Sequence, residues 1–365
     1  MSQSNQIHTE ILIVGQGLAG SILSHQLIER GIDFFVIDKP GASQSSLISA
    51  GIWNPVVFKR MTSSWKAAEV IPFMRDFFTK AERTTGEKFV SHRKMLKYFT
   101  EEQEALLWKK KYPEGLSDFI EEKIYFPAEF DCDGLHKPEF GFSFVKESGN
   151  VDTKKFVETT SAYLKSNFAS GKAANGIIEE EFDHSLLIQN ENVFEYKNIS
   201  CRKIIFSEGF LNSKNPFFNF IPFKPAKGEL LTFHSAELKT EHIINKGVFI
   251  LPLGNDFYKC GATYEWSDLS QEPTEKGQLE LETKLKKIIR VPFAVTERKA
   301  GVRPSVIDRR PALGMHPKLK NHFIFNGFGT KAVMLAPYFA NEMINFIAGK
   351  QQGLNPEIDI KRFSK

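Results

Sequence analysis

With 365 residues, 41% of them apolar and 25% charged, the chain has an ordinary folded composition and enough length for about two domains. Lys and Arg exceed Asp and Glu by 48 − 44 = 4, too small an excess to mark a nucleic-acid surface by itself. No apolar run approaches the roughly 20 residues of a membrane span and residues 1–10 lack the apolar segment of a secretory signal. The three cysteines, Cys132, Cys201 and Cys260, show neither a metal pattern nor a disulfide framework, so a reducing cytoplasm is expected.

Residues 11–14 are an apolar run of the length of one buried strand. Gly15, Gly17 and Gly20 follow, and Leu18, Ile22, Leu23 and Leu27 then recur at a helical spacing that Gly31 can stop. A second apolar run, 32–37, ends in Asp38. Strand, glycine turn, helix, strand and acid make a complete dinucleotide-binding unit. Gly15 permits the tight turn, Gly17 lets backbone approach a pyrophosphate, and Gly20 lets helix and strand lie close. Phosphates would meet the N–H groups around Leu18 and Ala19 at the positive end of the helix. Asp38 can take both hydroxyls of an adenosine ribose, with Lys39 next to it. The unit alone fits FAD and NAD equally.

Residues 39–55 carry small hydroxyl side chains, among them Ser45 and Ser46, and then Ala50 and Gly51. Serines are common helix N-caps, but here they can also line an extended cofactor beside the first glycine turn. An NAD protein would usually continue into a further strand–helix repeat, and this chain does not. Residues 61–78 are expected to be helical, 89–100 to form strands, 101–111 a charged helix, and 124–145 loops and short strands. This block has no nucleotide chemistry and is a candidate cap. Residues 153–167 are expected to form a helix, 176–182 and 185–189 strands, and 203–209 a buried strand ending in a glycine turn at Gly209. Segments 223–233, 248–253 and 257–263 are expected to build an antiparallel sheet, with a helix over 275–289. Strand 323–325 leads into Gly327, Phe328, Gly329, Thr330, Lys331 and Ala332, then a last helix to about 348 with Pro337 in its first turn. A flavin needs both glycine turns: one for its ADP half, one to aim helix N–H groups at the ring edge where reduction places negative charge.

In this order the motifs resemble the D-amino-acid oxidase superfamily of flavoproteins, within it the glycine oxidase and sarcosine oxidase-like branch. The matching segments are the opening unit, Ser45-Ser46 with Ala50-Gly51-Ile52, Gly149 to Asp152, Ser207-Glu208-Gly209, Lys227-Gly228-Glu229, Gly261-Ala262-Thr263, Gly301-Val302-Arg303-Pro304, and 327–337. The resemblance implies an α/β fold. A Rossmann-like, doubly wound parallel sheet would hold FAD, with a second α+β domain built on an antiparallel sheet. The FAD domain is expected to be discontinuous, from 1–58, 150–215 and 300–365, with 59–149 and 216–299 as the substrate or cap domain. By resemblance, Gly15, Gly17, Gly20 and Asp38 hold the ADP half, with Leu18, Ala19 and Lys39 alongside. Ser45, Ser46, Ala50 and Gly51 line the flavin and pyrophosphate, Gly209 lies near the ADP half, and Gly327, Gly329, Thr330, Lys331 and Ala332 cover the pyrimidine edge. Arg303 matches the arginine that holds a substrate carboxylate, a task suited to a two-pronged guanidinium. The alternative for an interior arginine is a structural ion pair.

Three features depart from that pattern. Phe249 stands where the branch often has Tyr, so a hydroxyl is missing from a substrate pocket that also takes in Arg303 and Phe328. Ala332 replaces a usual glycine, with Lys331 beside it. Gly-Phe-Gly-Thr-Lys at 327–331 also resembles the Gly-Leu-Gly-Ser-Arg of the flavin domain in the bifunctional tRNA wobble-uridine modification enzyme. No His or Cys stands in a flavin-attachment motif, so FAD is expected to be noncovalent. The resemblance implies oxidation of the C–N bond of a small amino acid or secondary amine, with oxygen or another acceptor taking the electrons. Two alternatives stay open: oxidation of a carboxymethylaminomethyl group on a tRNA wobble uridine, and a flavin-binding protein without amine turnover.

Overall fold

A computed structural model describes residues 6–39, 41, 45–129, 134–169 and 175–364; Cys132 and residues 1–5, 40 and 42–44 of the sequence reading lie outside these. The larger sheet has eight strands. Its parallel part runs Gly176–Glu179, Phe34–Asp38, Ile7–Val14, Ile199–Phe206 and His322–Asn326. Val193–Tyr196 with Ile188–Asn190 beyond it, and Ala312–Met315 beside His322–Asn326, add the three antiparallel strands. In Ile7–Val14 the alternation of the strand sends Ile11 and Ile13 to one apolar cluster and Leu12 and Val14 to another. A sheet covered on both faces needs that continuous apolar run.

The second sheet has seven strands, in the order Ala294–Arg303, Ala226–His234, Phe257–Gly261, Val248–Gly254, Ile243–Lys246, Met95–Tyr98 and Phe142–Val145. All its pairings are antiparallel except that of Ile243–Lys246 with Met95–Tyr98. A small sheet of Ile52–Trp53, Gly149–Val151 and Val90–His92 sits among the connections. The abundant phenylalanines pack between layers. Phe156 of helix Thr153–Ala169 meets Phe78, Phe89 and the His25 ring at centroid distances of 5.2, 5.2 and 5.4 Å.

Several boundaries differ from the sequence expectation. The helix expected over 61–78 is Ala67–Thr85. Residues 61–66 are held out of it because Thr62–Ser63 pairs with Val56–Val57 and Lys66 is left-handed at φ 54°. Left-handed Gly86 ends it, as a C-terminal glycine does. Residues 185–189 form a short 3-10 turn, His184–Leu186, before strand Ile188–Asn190. Pro337 is the sixth residue of Ala332–Ile347, past the first turn where it was expected. Among the described residues no helix is long and apolar enough to cross a membrane, and no cluster of acidic, His or Cys side chains could hold a metal.

Candidate functional site

The parallel strands end at a cavity of about 550 Å³ whose opposite wall is the antiparallel sheet. Its location follows the rule for open α/β sheets, in which ligands sit beyond the carboxyl ends of the strands. At one end the wall is backbone. Gly15 has φ 102°, and a Cβ there would stand 2.6 Å from the Ser207 carbonyl oxygen. A Cβ on Gly20 would overlap the Gly15 carbonyl, so helix Leu18–Glu29 can lie against its strand only with glycine at that position. Ser46 reaches back across the loop, and its Oγ accepts from the Leu18 N–H at 2.9 Å. The N–H of Ala19 is the next donor at that open helix end.

Three helices distant from the cavity place Glu in their first turn, Glu69, Glu102 and Glu275, whereas Thr153–Ala169 does not. Leu18–Glu29 and Ala332–Ile347 have no acid there. Both start at the cavity, and a bound anion would fill the position an acid takes elsewhere. Asp38 closes this end. Its Oδ1 accepts from the Gln16 N–H at 2.8 Å. Burial, with the nearby Glu179 charge, pushes its carboxyl up to about 6 against that hydrogen bond. The Ser207 hydroxyl lies in the wall, buried and without a hydrogen-bond partner among the described residues. Glycine cradle, free helix ends, acid and orphaned hydroxyl fit the ADP part of an FAD.

The other end is built from side chains. Arg303 ends the edge strand of the antiparallel sheet, and its guanidinium folds over Gly228, where any Cβ would collide with it. It donates to the carbonyls of Lys227 at 3.2 Å and Thr263 at 3.3 Å and lies 4.3 Å from the Tyr264 ring centre. Among the described residues it has no carboxylate partner, so the structural ion pair considered for it is not there. Burial holds its pKa below the usual guanidinium range. Lys331 donates to the Asn54 carbonyl at 3.0 Å and to Ser64 Oγ at 3.1 Å, and burial pushes its ammonium down to about 8. Two half-buried cations without a counter-charge among the described residues face one cavity, which therefore suits an anionic ligand.

Of the residues singled out in the sequence, Gly15, Gly17, Leu18, Ala19, Asp38, Lys39, Ser45, Ser46, Ala50, Gly51 and Gly209 line the cavity. So do Phe249, Arg303, Phe328, Gly329, Thr330, Lys331 and Ala332. Gly20 and Gly327 do not line it and act behind it. Gly327, at φ 80°, is the left-handed turn out of strand His322–Asn326, and a Cβ there would meet Val306 at 2.6 Å. Lys39 turns outward to an exposed pairing with Glu181 at 2.7 Å. Sequence reasoning gave no role to Met95, Leu230, Asn245 or Tyr264, which also line the cavity. Glu208, next to Gly209, could have been found from its place at the end of a parallel strand. The other four carry no local signal.

The FAD dependent oxidoreductase family, DAO, matches residues 10–345. The chain is similar to the tRNA 5-methylaminomethyl-2-thiouridine biosynthesis bifunctional protein of Leptospira interrogans, 25% identical over 334 residues, covering 85% of this chain and 48% of that one. It thus spans about half the length of that relative. Glycine oxidase from Geobacillus kaustophilus has a similar structure, with a TM-score of 0.78 at 18% identity over 98% of each chain. Iminodiacetate oxidase from Chelativorans sp. gives 0.77 at 17% identity over 97% of this chain and 98% of its own. At these identities the structural likeness establishes the fold, a parallel cofactor sheet facing an antiparallel one.

Proposed function

The chain belongs to the DAO family of FAD-dependent oxidoreductases, and from that premise we propose that it oxidises the C–N bond of a small amino acid or secondary amine carrying a carboxylate. The observation that carries this reading is Arg303, a half-buried guanidinium in the cavity wall with no acid beside it among the described residues. The solved structures of similar fold include oxidases of glycine and of iminodiacetate. Residues 1–58, 150–215 and 300–365 would form the cofactor unit, and 59–149 with 216–299 the substrate unit. Gly15, Gly17, Ala19 and Asp38 would hold the ADP half of FAD, and Ala50, Gly51 and the 327–332 turn the flavin half. When bound, FAD supplies a two-electron acceptor of hydride.

The chain's own groups bind and orient. Arg303 grips the substrate carboxylate through two parallel hydrogen bonds and so fixes the neighbouring Cα–H. Tyr264 stacks on the guanidinium and holds its plane in place. The acids lining the cavity, Asp38, Glu181 and Glu208, belong to the first sheet or the connections at its carboxyl ends, and none contacts Arg303. No carboxylate base stands at the clamp, so the substrate binds as free amine. Loss of a hydride from that neutral amine leaves an iminium, which water hydrolyses to a carbonyl compound and an amine; oxygen or another acceptor would be the final electron acceptor. The reading places the protein in the cytoplasm, consistent with buried, unpaired Cys201 and Cys260. An anaerobic screen of amino acids and N-methylated amines against the yellow holoprotein tests it: bleaching by a carboxylated amine is expected, and no bleaching by any of them would refute it.

A second reading has an observation of its own. Tyr264 lines the cavity and Trp266 lies beside it, 50% and 54% exposed, with ring centres 5.5 Å apart. Exposed aromatic pairs stack unpaired bases. With the likeness to the Leptospira tRNA enzyme, this supports a carboxymethylaminomethyl group on a tRNA wobble uridine as the substrate. Retention of tRNA with the steep salt dependence of phosphate contacts is then expected; failure to retain it at low salt would exclude this substrate.

A further inference from the structure

The substrate wall is wider than a small amino acid requires. Leu230, Gly261, Phe249 and Asn245 pair in register across four neighbouring strands and so form one row on one face. Leu230, Phe249 and Asn245 all line the cavity. Gly261 has no side chain, and Leu230 and Phe249 close over it: a Cβ there would overlap Leu230 and stand 3.3 Å from Phe249. The middle of the row is therefore apolar. At one side lies the Arg303 guanidinium, over Gly228, two residues along the strand from Leu230. At the other side is Asn245, half-buried, whose amide bonds to no described residue.

Three strand spacings separate Leu230 from Asn245, about 14 Å of sheet. A single amino acid spans at most about 3.6 Å. A glycine held at Arg303 cannot reach Asn245. The next residue of the row, Lys97, is occupied by Glu104 at 3.1 Å and by the Phe58 ring at 5.3 Å, so it does not satisfy the Asn245 amide.

We infer that Asn245 is a second recognition point, and that the ligand carries a carboxylate at one end, an apolar spacer over Leu230 and Phe249, and an amide-type edge at the other. An asparagine amide both donates and accepts, so it matches a group offering a carbonyl and an N–H side by side. This rests on the proposed function for the carboxylate end only. It makes Asn245 a specificity residue, touching the part of the ligand remote from the reacting bond.

The test is equilibrium binding to the FAD-loaded protein, read by perturbation of flavin absorbance. The probes are unreactive straight-chain dicarboxylic acid monoamides from three to seven carbons, each paired with the alkyl carboxylate of equal length. At one chain length the amide should bind about 10-fold tighter than its alkyl match, the worth of one to two neutral hydrogen bonds. Asn245→Leu should bring that ratio to about 1, and Asn245→Gln should move the best length to a shorter chain. 5-Carboxymethyluracil, with an imide edge in place of the amide, separates a pyrimidine ligand from an amino-acid amide: whichever shows the Asn245-dependent gain names the source. A ratio near 1 for every probe overturns the inference. So does an Asn245→Leu protein that keeps the ratio, or one that no longer holds FAD, because in the second case Asn245 would serve the cofactor. Amines that bleach the flavin alongside a flat ratio refute this inference alone; a clear ratio with no bleaching amine refutes the oxidation chemistry alone.

Discussion

At the Gly15–Asp38 end of the cavity the wall is backbone, held by glycines that admit no Cβ; at the Arg303–Asn245 end it is side chains, held by strand pairing. The first end has little freedom to change, because carbonyl and Cβ would occupy the same space. The second, Gly228 and Gly261 apart, can vary one residue at a time without disturbing a strand. With the cofactor and substrate placed as proposed, they would lie on surfaces with different tolerance. Mutations at the two ends should separate into those that remove FAD and those that change only what is oxidised.

The largest effect is expected at Gly20. Gly20→Ala would press a methyl group into the Gly15 carbonyl, forcing helix and strand apart at about 3 kcal/mol or more. Low soluble yield and a protein without bound flavin should result, measured by the ratio of flavin to protein absorbance. A normally yellow, normally stable Gly20→Ala protein would mean that the backbone end is more compliant than its contacts indicate.

Arg303→Lys should leave flavin content and melting temperature unchanged and lower kcat/KM toward carboxylated amines. The charge remains but the two-pronged grip is lost, at about 2–4 kcal/mol, or roughly 30- to 1000-fold. Early melting with normal turnover would assign Arg303 to the scaffold through its bonds to the Lys227 and Thr263 carbonyls.

Those two ends also differed in how far the sequence could be read. Gly15, Gly17 and Gly20 were legible because their spacing is dictated by local backbone geometry, and Asp38 because it ends the next strand. The order of motifs gave the parallel and antiparallel sheets. Arg303 was legible only through family resemblance. Asn245, Leu230 and Met95 were not, since their place in the cavity depends on register between segments far apart in the chain. Residues 61–66 misled because Met61 and Trp65 pack on the core without being helical, while Thr62–Ser63 between them pairs with Val56–Val57. Helical spacing cannot anticipate a left-handed Lys66.

A smaller, pH-dependent effect belongs to the backbone end. Burial pushes the Asp38 carboxyl up to about 6, and its ionised form accepts ribose hydroxyls more strongly, with charge and both oxygens, than the protonated form can. FAD affinity should therefore be full above about pH 7 and weaken as pH falls through 6. Asp38→Asn should lose about 1–2 kcal/mol of affinity at neutral pH, about 5- to 30-fold, and remove the pH dependence. Titration of FAD-free protein across that range reads both, and a flat profile in the unaltered protein would place the ribose elsewhere.

The smallest effect is expected at Phe249. Phe249→Tyr adds one hydroxyl to the apolar middle of the substrate wall. It should shift the preference among amine substrates by about 2- to 10-fold, one hydrogen bond's worth, with FAD content unchanged. Lost flavin in this variant would erase the distinction between the two ends.

Anaerobic reduction of the bound flavin by matched amines, N-methylglycine against dimethylamine and glycine against methylamine, tests the central claim most directly. The carboxylated member of a pair should bleach the flavin at least about 30-fold faster, and Arg303→Lys should narrow that gap. Equal rates within each pair, or a gap untouched by Arg303→Lys, would contradict a carboxylate clamp at Arg303.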